Sequence, residues 1–110
     1  MNWISLTSAE QLTGITEKSF ERPQLIFKHS TRCNISSMAK NRLERYAEPP
    51  TGTDYYYLDL IAHRDISHKV AEDFRVHHES PQVLVIKNGK CVYDESHSAI
   101  SMDEIAEQLS

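Results

Sequence analysis

The chain has 110 residues, enough for one domain that buries roughly two thirds of the surface exposed by its unfolded form. Charged residues make up 25% and hydrophobic residues 39%, a globular balance that excludes disorder and solenoid repeats. A net charge of -4, with basic residues spread among acidic ones, leaves no electrostatic footprint for nucleic acid. No apolar run approaches the ~20 residues that cross a bilayer. We therefore expect a cytoplasmic protein with neither a nucleic acid nor a membrane partner.

The first third of the chain predicts a helix followed by a buried strand. Thr7 to Glu10 has the pattern of a capping box, which predicts a helix that runs to about Ser19. Gln24 to His29 (QLIFKH) is short and apolar at its centre, which is typical of a strand buried on both faces. The polar residues Ser30 to Arg32 then end the strand in a turn.

A second helix is predicted directly after this turn, and it starts at a cysteine. From Cys33 onward, apolar residues recur at the helical spacing i, i+4, i+7, and these residues are Ala39, Leu43 and Tyr46. The pattern stops before Pro49. The sequence thus predicts a buried strand, a turn that carries a cysteine, and a helix.

The middle of the chain predicts another strand and helix. Tyr55 to Leu60 (YYYLDL) has the aromatic content of a strand. Ile66, Val70 and Phe74 are spaced by four residues, which indicates one face of a helix. Because a helix connects the two strands, we expect them to pair in parallel through a crossover.

The last third predicts a hairpin and a terminal helix. Gln82 to Lys87 (QVLVIK) reads as a strand, Asn88-Gly89 is a strong hairpin signal, and Lys90 to Tyr93 returns antiparallel. Ser101 to Glu104 has the pattern of a second capping box ahead of a final helix.

The complete order of elements is αβαβαββα. Its simplest packing is a four-stranded mixed sheet with two helices on each side, because parallel strand pairs need both faces covered. This is also the order of the thioredoxin-like fold. We therefore predict an α/β protein with a single thioredoxin-like domain over residues 1–110. A fold alone does not define an activity, so the function must be argued from particular residues.

Cys33 is the strongest candidate for a reactive group. It begins a helix, where backbone N–H groups and the helix dipole favour an anion such as a thiolate. Four flanking side chains would support this if they turn toward the sulfur, namely Lys28, His29, Arg32 and Asn34. Most free cysteines are small buried hydrophobes. Here the polar flanks and the strand-to-helix turn favour a nucleophile instead.

Ser36 occupies the place of the second thiol in a C-x-x-C motif, which here reads C-N-I-S. Such a site can attack a disulfide and hold a mixed disulfide, but a second thiol from another molecule must release it. Ser36 could donate a hydrogen bond to the Cys33 thiolate, or it could be a solvated serine of the first helical turn. The sequence leaves both alternatives open.

Ser80-Pro81 directly precedes the predicted strand Gln82 to Lys87. In thioredoxin-like proteins a cis proline at this place faces the active cysteine. Only about 5% of X-Pro bonds in folded proteins are cis, but the order of elements favours cis here. We expect Ser80 and Pro81, with His78 beside them, to form the substrate-binding rim of the cysteine groove.

Two other chemical candidates are weaker. Cys91 lies on a predicted strand next to Val92, where a packed structural thiol is the plain expectation, and a disulfide with Cys33 is not expected. His77 and His78 lack both the i, i+4 helical spacing and a nearby third ligand, so no metal site is predicted.

Several stretches together resemble the YtxJ-like monothiol bacilliredoxin family. They are FKHSTRCNISS (Phe27 to Ser37), YYLDLIAHRDIS (Tyr56 to Ser67) and HESPQ (His78 to Gln82), with later matches at IKNGK and YDESH. The resemblance covers nearly the whole chain and is far more specific than a lone C-x-x-S. One departure is Asn34, which stands where the family pattern usually has proline.

The resemblance implies a thioredoxin-like fold and a monothiol thiol–disulfide oxidoreductase in which Cys33 attacks. Its reaction would be the reversal of mixed disulfides between protein cysteines and bacillithiol. No bound cofactor is implied; a low-molecular-weight thiol such as bacillithiol would be the co-substrate, and protein mixed disulfides would be the partners.

Two alternatives of other classes stay open. An iron–sulfur carrier of the monothiol glutaredoxin type would also use one cysteine, although its C-G-F-S pattern differs from C-N-I-S. A non-catalytic adapter on the same fold would make Cys33 dispensable. Colour in the purified protein would indicate a cluster, and rapid alkylation of the thiol would indicate exchange. Neither property would indicate the adapter.

Overall fold

A computed structural model describes residues 1–110 and contains five β-strands and four α-helices. The strands are β1 (Ile4–Ser5), β2 (Gln24–His29), β3 (Asp54–Asp59), β4 (Gln82–Lys87) and β5 (Lys90–Ser96). The helices are α1 (Ala9–Lys18), α2 (Asn34–Glu44), α3 (Arg64–Phe74) and α4 (Met102–Leu109), and a short 3-10 turn spans His97–Ala99. None of the helices is long and apolar enough to cross a membrane.

The five strands form one mixed sheet in the order β1-β3-β2-β4-β5. β1, β3 and β2 are parallel, while β4 runs antiparallel to β2 and β5 antiparallel to β4. The predicted order αβαβαββα is confirmed, and β1 is an additional strand at the front of it. The prediction of four strands was one too few, because β1 is only two exposed residues long and has no apolar alternation to mark it.

The helices cover the sheet in two pairs, as predicted. One buried cluster contains residues of α1 and α3 together with Ile26 of β2. The other contains residues of α2 and α4 together with Leu25 and Phe27 of β2. All six residues of β2 are buried, which confirms a central strand covered on both faces.

The start of α1 differs from its prediction by one residue. The capping box is formed by Ser8 and Gln11 rather than by Thr7 and Glu10. The Ser8 hydroxyl accepts from the Gln11 N–H at 3.3 Å, and the Gln11 side chain accepts from the Ser8 N–H at 3.1 Å. Gln11 also accepts from the Thr7 N–H at 2.7 Å, so a glutamine serves two orphan donors at once. This segment contains two overlapping capping-box patterns, T-x-x-E and S-x-x-Q. The second one forms, and Ser8 therefore becomes the N-cap residue of α1.

The last helix begins at the predicted place, but without its predicted capping box. Ser101 is the N-cap residue of α4, yet its side chain makes no capping hydrogen bond. Asp103 and Glu104 nevertheless place negative charge in the first turn, where it interacts favourably with the helix dipole.

Alternation along β2 decides which side chains meet at its carboxyl end. Successive residues of a strand point to opposite faces, so Phe27 and His29 share the face covered by α2 and α4. Lys28 lies on the other face, with Ile26 and the helices α1 and α3. The chain leaves β2 after His29 and enters α2 five residues later. The functional candidates therefore divide between two sides of one sheet end.

Candidate active site

Cys33 is the N-cap residue of α2 and lies between the turn after β2 and the first helical turn. Its backbone is extended (φ -113°, ψ 121°), its N–H donates to Ser30 O at 3.1 Å, and its carbonyl accepts from the Ser37 N–H at 3.0 Å. The thiol is free and partly exposed. The position supplies what thiol chemistry needs, because a sulfur at a helix start is both accessible and close to unpaired backbone N–H groups.

Ser36 is fully buried beneath this turn, so the alternative of a solvated serine is wrong. Its hydroxyl oxygen lies 2.6 Å from His29 Nδ1 and accepts from the Ser30 N–H at 3.0 Å. The hydroxyl therefore ties the end of β2 and the turn before Cys33 to the first turn of α2. Its hydrogen-bond partners are His29 and Ser30, not the Cys33 sulfur.

His29 supplies a hydrogen bond to this arrangement rather than a charge. Burial lowers the pKa of His29 below its usual value of 6.5, and the positive charge of Lys40 acts in the same direction against the carboxylate of Asp59. The ring also lies against Phe27 and Tyr57, with ring centroids 5.7 Å and 5.5 Å away. Because the imidazole is neutral at pH 7, it does not make the surroundings of Cys33 electropositive.

Lys28 points away from α2, so the expectation that it would turn toward the sulfur is not met. Its side chain is fully buried on the α1 and α3 face of β2, with Nζ 3.3 Å from His78 Nδ1. The same His78 nitrogen lies 3.4 Å from Ser67 Oγ of α3. Burial lowers the pKa of Lys28 from 10.5 to about 8.

Arg32 and Asn34 flank Cys33 and are both exposed. Asn34 is the first residue of α2, so the departure from the family pattern falls on the first helical position. Arg32 is the remaining cation directly beside Cys33 in the sequence. Because Lys28 points away from Cys33 and His29 is neutral, the positive potential at the thiol comes from two sources, the start of α2 and Arg32.

The Ser80-Pro81 peptide bond is cis, which confirms the prediction. Pro81 is buried, and its carbonyl accepts from the His97 N–H at 3.0 Å. Gln82, the next residue, pairs with Lys28 of β2. This pairing places the cis proline at the carboxyl end of β2, the end from which the chain continues to Cys33. The hydroxyl of Ser80 is buried without a hydrogen-bond partner.

Cys91 is a packed thiol on the edge strand β5, as predicted. Its side chain lies against the α1 and α3 core, and Sγ donates to Tyr93 O at 3.2 Å. Burial raises the pKa of Cys91 to about 11. Cys91 pairs with Ile86, which pairs with Gln24 at the start of β2. The length of β2 alone, ~17 Å at 3.3–3.4 Å per residue, therefore separates Cys91 from the sheet end near Cys33, far beyond the reach of a disulfide.

The remaining histidines do not form a metal centre. No group of three or more His, Cys, Asp or Glu side chains in residues 1–110 is arranged to hold a metal ion. His97 lies 3.4 Å from Glu79, and His77 is exposed.

The contact of Lys28 with His78, whose Nδ1 also lies near Ser67, is the part of the site that the sequence pattern does not predict. A signal for it was present, because Lys28 is a charged residue inside a strand predicted to be buried on both faces. Such a residue needs a polar partner near the end of the strand. The partner, however, comes from a loop 50 residues later in the chain, and periodicity does not report such contacts.

Comparison with solved structures identifies the fold. A protein described as having a thioredoxin fold superimposes with a TM-score of 0.82 and 31% sequence identity, over 94% of this chain and 90% of that chain. The thioredoxin Mala s 13 of Malassezia sympodialis follows with a TM-score of 0.79 and 17% identity, over 98% of this chain and 90% of the other. Thioredoxin from Trypanosoma brucei brucei has a TM-score of 0.76 and 16% identity, over 98% and 88%. The thioredoxin-like fold predicted from the order of elements is confirmed.

Comparison with family models goes further than the fold. The model described as monothiol bacilliredoxin BrxC matches residues 4–105, which includes Cys33, the cis Pro81 and all five strands. The match agrees with the resemblance carried by the segments around Cys33 and Pro81. The chain therefore belongs to the monothiol bacilliredoxin BrxC family and is a redox enzyme of thioredoxin fold.

Proposed function

We propose that the protein reverses mixed disulfides between protein cysteines and a low-molecular-weight thiol, with Cys33 as the nucleophile and bacillithiol as the small thiol. Two features of the site together support the proposal. Cys33 is partly exposed at a helix start, and the place of a second thiol is taken by Ser36, which is fully buried. One thiol can accept a small thiol, but it cannot release it alone.

The first step is attack of the Cys33 thiolate on the small-thiol sulfur of the mixed disulfide. A bond forms between Cys33 Sγ and that sulfur, the original S–S bond breaks, and the client cysteine leaves as a thiolate that takes a proton from solvent. As the N-cap residue of α2, Cys33 lies beside the backbone N–H groups of the first helical turn, which interact favourably with an attacking thiolate. Arg32 beside it adds positive charge on the exposed side.

The second step regenerates the enzyme. A second molecule of the small thiol attacks the mixed disulfide at Cys33 as a thiolate, releases the symmetrical small-thiol disulfide and leaves Cys33 as a thiolate again. No external oxidant or reductant is consumed beyond the small thiol itself. Ser36 takes no part in this step, because a hydroxyl does not displace sulfur and its oxygen is bonded to His29 and Ser30.

Intact-mass spectrometry tests the proposal with a client protein whose single cysteine carries bacillithiol. Wild type and Cys91→Ser should remove the group from the client and gain its mass once, whereas Cys33→Ser should do neither. Free bacillithiol should then remove the adduct from Cys33. A client that carries glutathione is the comparison for small-thiol identity, and we expect slower transfer from it.

The reverse pattern would overturn the proposal. Transfer that continues in Cys33→Ser, or an adduct located at Cys91, would assign the chemistry to another residue. Equal transfer rates from the bacillithiol and glutathione clients would support the exchange reaction but contradict the assignment of bacillithiol as its specific co-substrate.

A further inference from the structure

Lys28 is a buried cation without an acidic partner. Its side chain has no exposed surface, and the three Lys or Arg ion pairs of the protein, like the His97–Glu79 contact, involve other residues. Its one side-chain partner is His78 Nδ1 at 3.3 Å, although an ammonium group has three N–H donors. A buried charge that is neither paired nor fully hydrogen-bonded destabilises a fold. The charge of such a lysine attracts a negative group that approaches the outer side of His78, although Lys28 itself has no contact with solvent.

The contact with Lys28 fixes which nitrogen of His78 carries the proton. An ammonium group only donates, so Nδ1 of His78 must accept, and the proton of the neutral ring is on Nε2. The ring reaches the surface, and Nε2 has no partner within the protein. Burial and the charge of Lys28 both lower the pKa of His78, which keeps the ring neutral at pH 7. His78 therefore presents an N–H donor to solvent, with a positive charge directly behind it.

A small cavity lies beside this donor. Its volume is about 40 Å³, and its lining residues are Leu60, Arg64, Ser67, His68 and His78. Arg64 opens α3 and adds a permanent positive charge. The space accommodates a group of a few heavy atoms, such as a carboxylate.

Acidic residues near the cavity do not neutralise it. Asp65, in the first turn of α3, is not among the lining residues. Glu79 acts on His78 through its negative charge, against the effect of Lys28, and its carboxylate also lies 3.4 Å from His97. Asp59 Oδ1 accepts from the Ile61 N–H at 3.1 Å. Two cations, Lys28 and Arg64, thus stand against the one carboxylate that acts on His78, that of Glu79.

The cavity lies at the sheet end that leads to Cys33. The N–H of its lining residue Leu60 donates to His29 O at 3.0 Å, and His29 is the last residue of β2. Lys28 pairs with Gln82, the residue directly after the cis Pro81. The cavity, the cis Pro81 and the turn that carries Cys33 therefore lie at the same end of the sheet.

We propose that Lys28, His78 and Arg64 form a subsite for a carboxylate attached close to the disulfide that Cys33 attacks. The subsite rests on the proposed exchange reaction, and it assigns the class of substrate that this reaction prefers. The carboxylate accepts from His78 Nε2–H and is attracted by Lys28 and Arg64. The shared chemistry, a carboxylate beside a disulfide, can come from the small thiol or from an acidic residue of the client.

Exchange with two aromatic disulfides tests the subsite. One reagent carries a carboxylate on each ring, and the other is an uncharged dipyridyl disulfide; each loses one aryl thiolate as Cys33 takes the other half as a mixed disulfide. All variants carry Cys91→Ser, and each rate is divided by the rate for an unstructured cysteine peptide. Wild type should prefer the carboxylate reagent about tenfold, and Lys28→Met and His78→Ala should each lose most of that preference.

Lys90→Met is the matched control, because it removes the same charge from an exposed site in the hairpin at the opposite end of the sheet. It should keep the wild-type preference. An equal preference in wild type, Lys28→Met and His78→Ala would overturn the subsite while the uncharged reagent still reports exchange at Cys33. Failure of both reagents to react faster than with the peptide would instead count against the exchange function.

If neither reagent reacts with Cys33, a binding titration that requires no thiol–disulfide exchange still tests the subsite. Benzoate, which has an aromatic carboxylate but no disulfide, should shift the His78 ring signals in an NMR titration of wild type. At least fivefold weaker binding is expected in Lys28→Met. Absence of any shift at His78 would overturn the proposal.

Two peptide disulfides that differ only in Glu or Gln beside the cysteine identify the source of the carboxylate. Faster exchange of the Glu peptide assigns the subsite to client proteins. A preference confined to the small reagent assigns it to the low-molecular-weight thiol.

Discussion

His29 Nδ1 and Ser36 Oγ lie 2.6 Å apart, and both residues are buried directly beneath the turn that carries Cys33. Ser36 also accepts the N–H of Ser30, so one hydroxyl joins the last residue of β2, the turn and the first turn of α2. A cysteine at this position would have a larger sulfur and weaker hydrogen bonds. The monothiol character of the site therefore coincides with a structural role for the serine that replaces the second thiol.

Ser36→Ala should destabilise the protein by about 1–3 kcal/mol, because it leaves the buried His29 nitrogen and the Ser30 N–H without their partner. Urea unfolding at pH 7 measures the loss. Ser37→Ala is the control, since Ser37 is the adjacent serine of α2 but is only half-buried; it should change the free energy of unfolding by less than about 0.5 kcal/mol. Equal effects of the two substitutions would show that the bonds of Ser36 contribute nothing to stability.

Ser36→Cys should convert the site into a dithiol. A thiol at this position, one helical turn from Cys33, can attack a mixed disulfide at Cys33 and expel the small thiol. Intact mass should then show loss of two hydrogens, where wild type keeps a stable adduct at Cys33. The double variant Cys33→Ser with Ser36→Cys is the control and should form no internal bridge. A persistent adduct in Ser36→Cys would contradict the geometry.

Local sequence patterns were sufficient for most elements that position the site. The bounds of β2 and the start of α2 directly after Cys33 follow from residues that are near one another in the sequence. β1 could not be predicted in this way, because Ile4 becomes a strand residue only by pairing with Tyr56, far along the chain. An edge strand of two exposed residues shows no alternation of apolar and polar residues in the sequence.

The directions of the side chains within the site are harder to predict from the sequence than the bounds of the helices and strands. Lys28, His29 and Arg32 are near neighbours in the sequence, which predicts three charges around the sulfur. Alternation along β2 sends Lys28 and His29 to opposite faces, and burial removes the charge of His29. The alternation was readable from the sequence, whereas the partners Ser36 and His78 depend on how a helix and a loop close over the strand end.

Asn34→Pro should be tolerated and should stabilise the protein by about 0.4–1 kcal/mol, by reducing the freedom of the unfolded chain. Asn34 is the first residue of α2, where a missing N–H costs no helical hydrogen bond. The preceding residue, Cys33, already has φ -113° and ψ 121°, within the region that a following proline requires. Thermal unfolding measures the effect, with Asn34→Ala as the control. A loss greater than 1 kcal/mol would mean that the Asn34 N–H has a partner that proline removes.

Cys91 should react with alkylating reagents only after unfolding. Burial raises its pKa to about 11, so at pH 8 roughly one molecule in a thousand carries the thiolate. Cys33 should react in the native protein, because it is partly exposed at a helix start. Peptide mapping after a short pulse of iodoacetamide, with and without denaturant, distinguishes the two thiols. Similar labelling of both in the native state would place Cys91 outside the core.

Lys28→Met should stabilise the protein at pH 7, and the gain should shrink as the pH rises. The pKa of Lys28 is about 8 in the folded protein against 10.5 when unperturbed. The unfolded chain therefore binds more protons between pH 8 and 10.5, so wild-type stability gains relative to the variant across this window. A depression of this size corresponds to about 3 kcal/mol, which wild type loses by burying the charge below pH 8 and recovers above it. Cys91 and Tyr93 also titrate at high pH, but they are common to both proteins, so the difference between the two free energies of unfolding isolates Lys28. Urea unfolding of both proteins at pH 7 and pH 9.5 provides that difference; a gain that is the same at both values would show that Lys28 is not a buried charge with a lowered pKa.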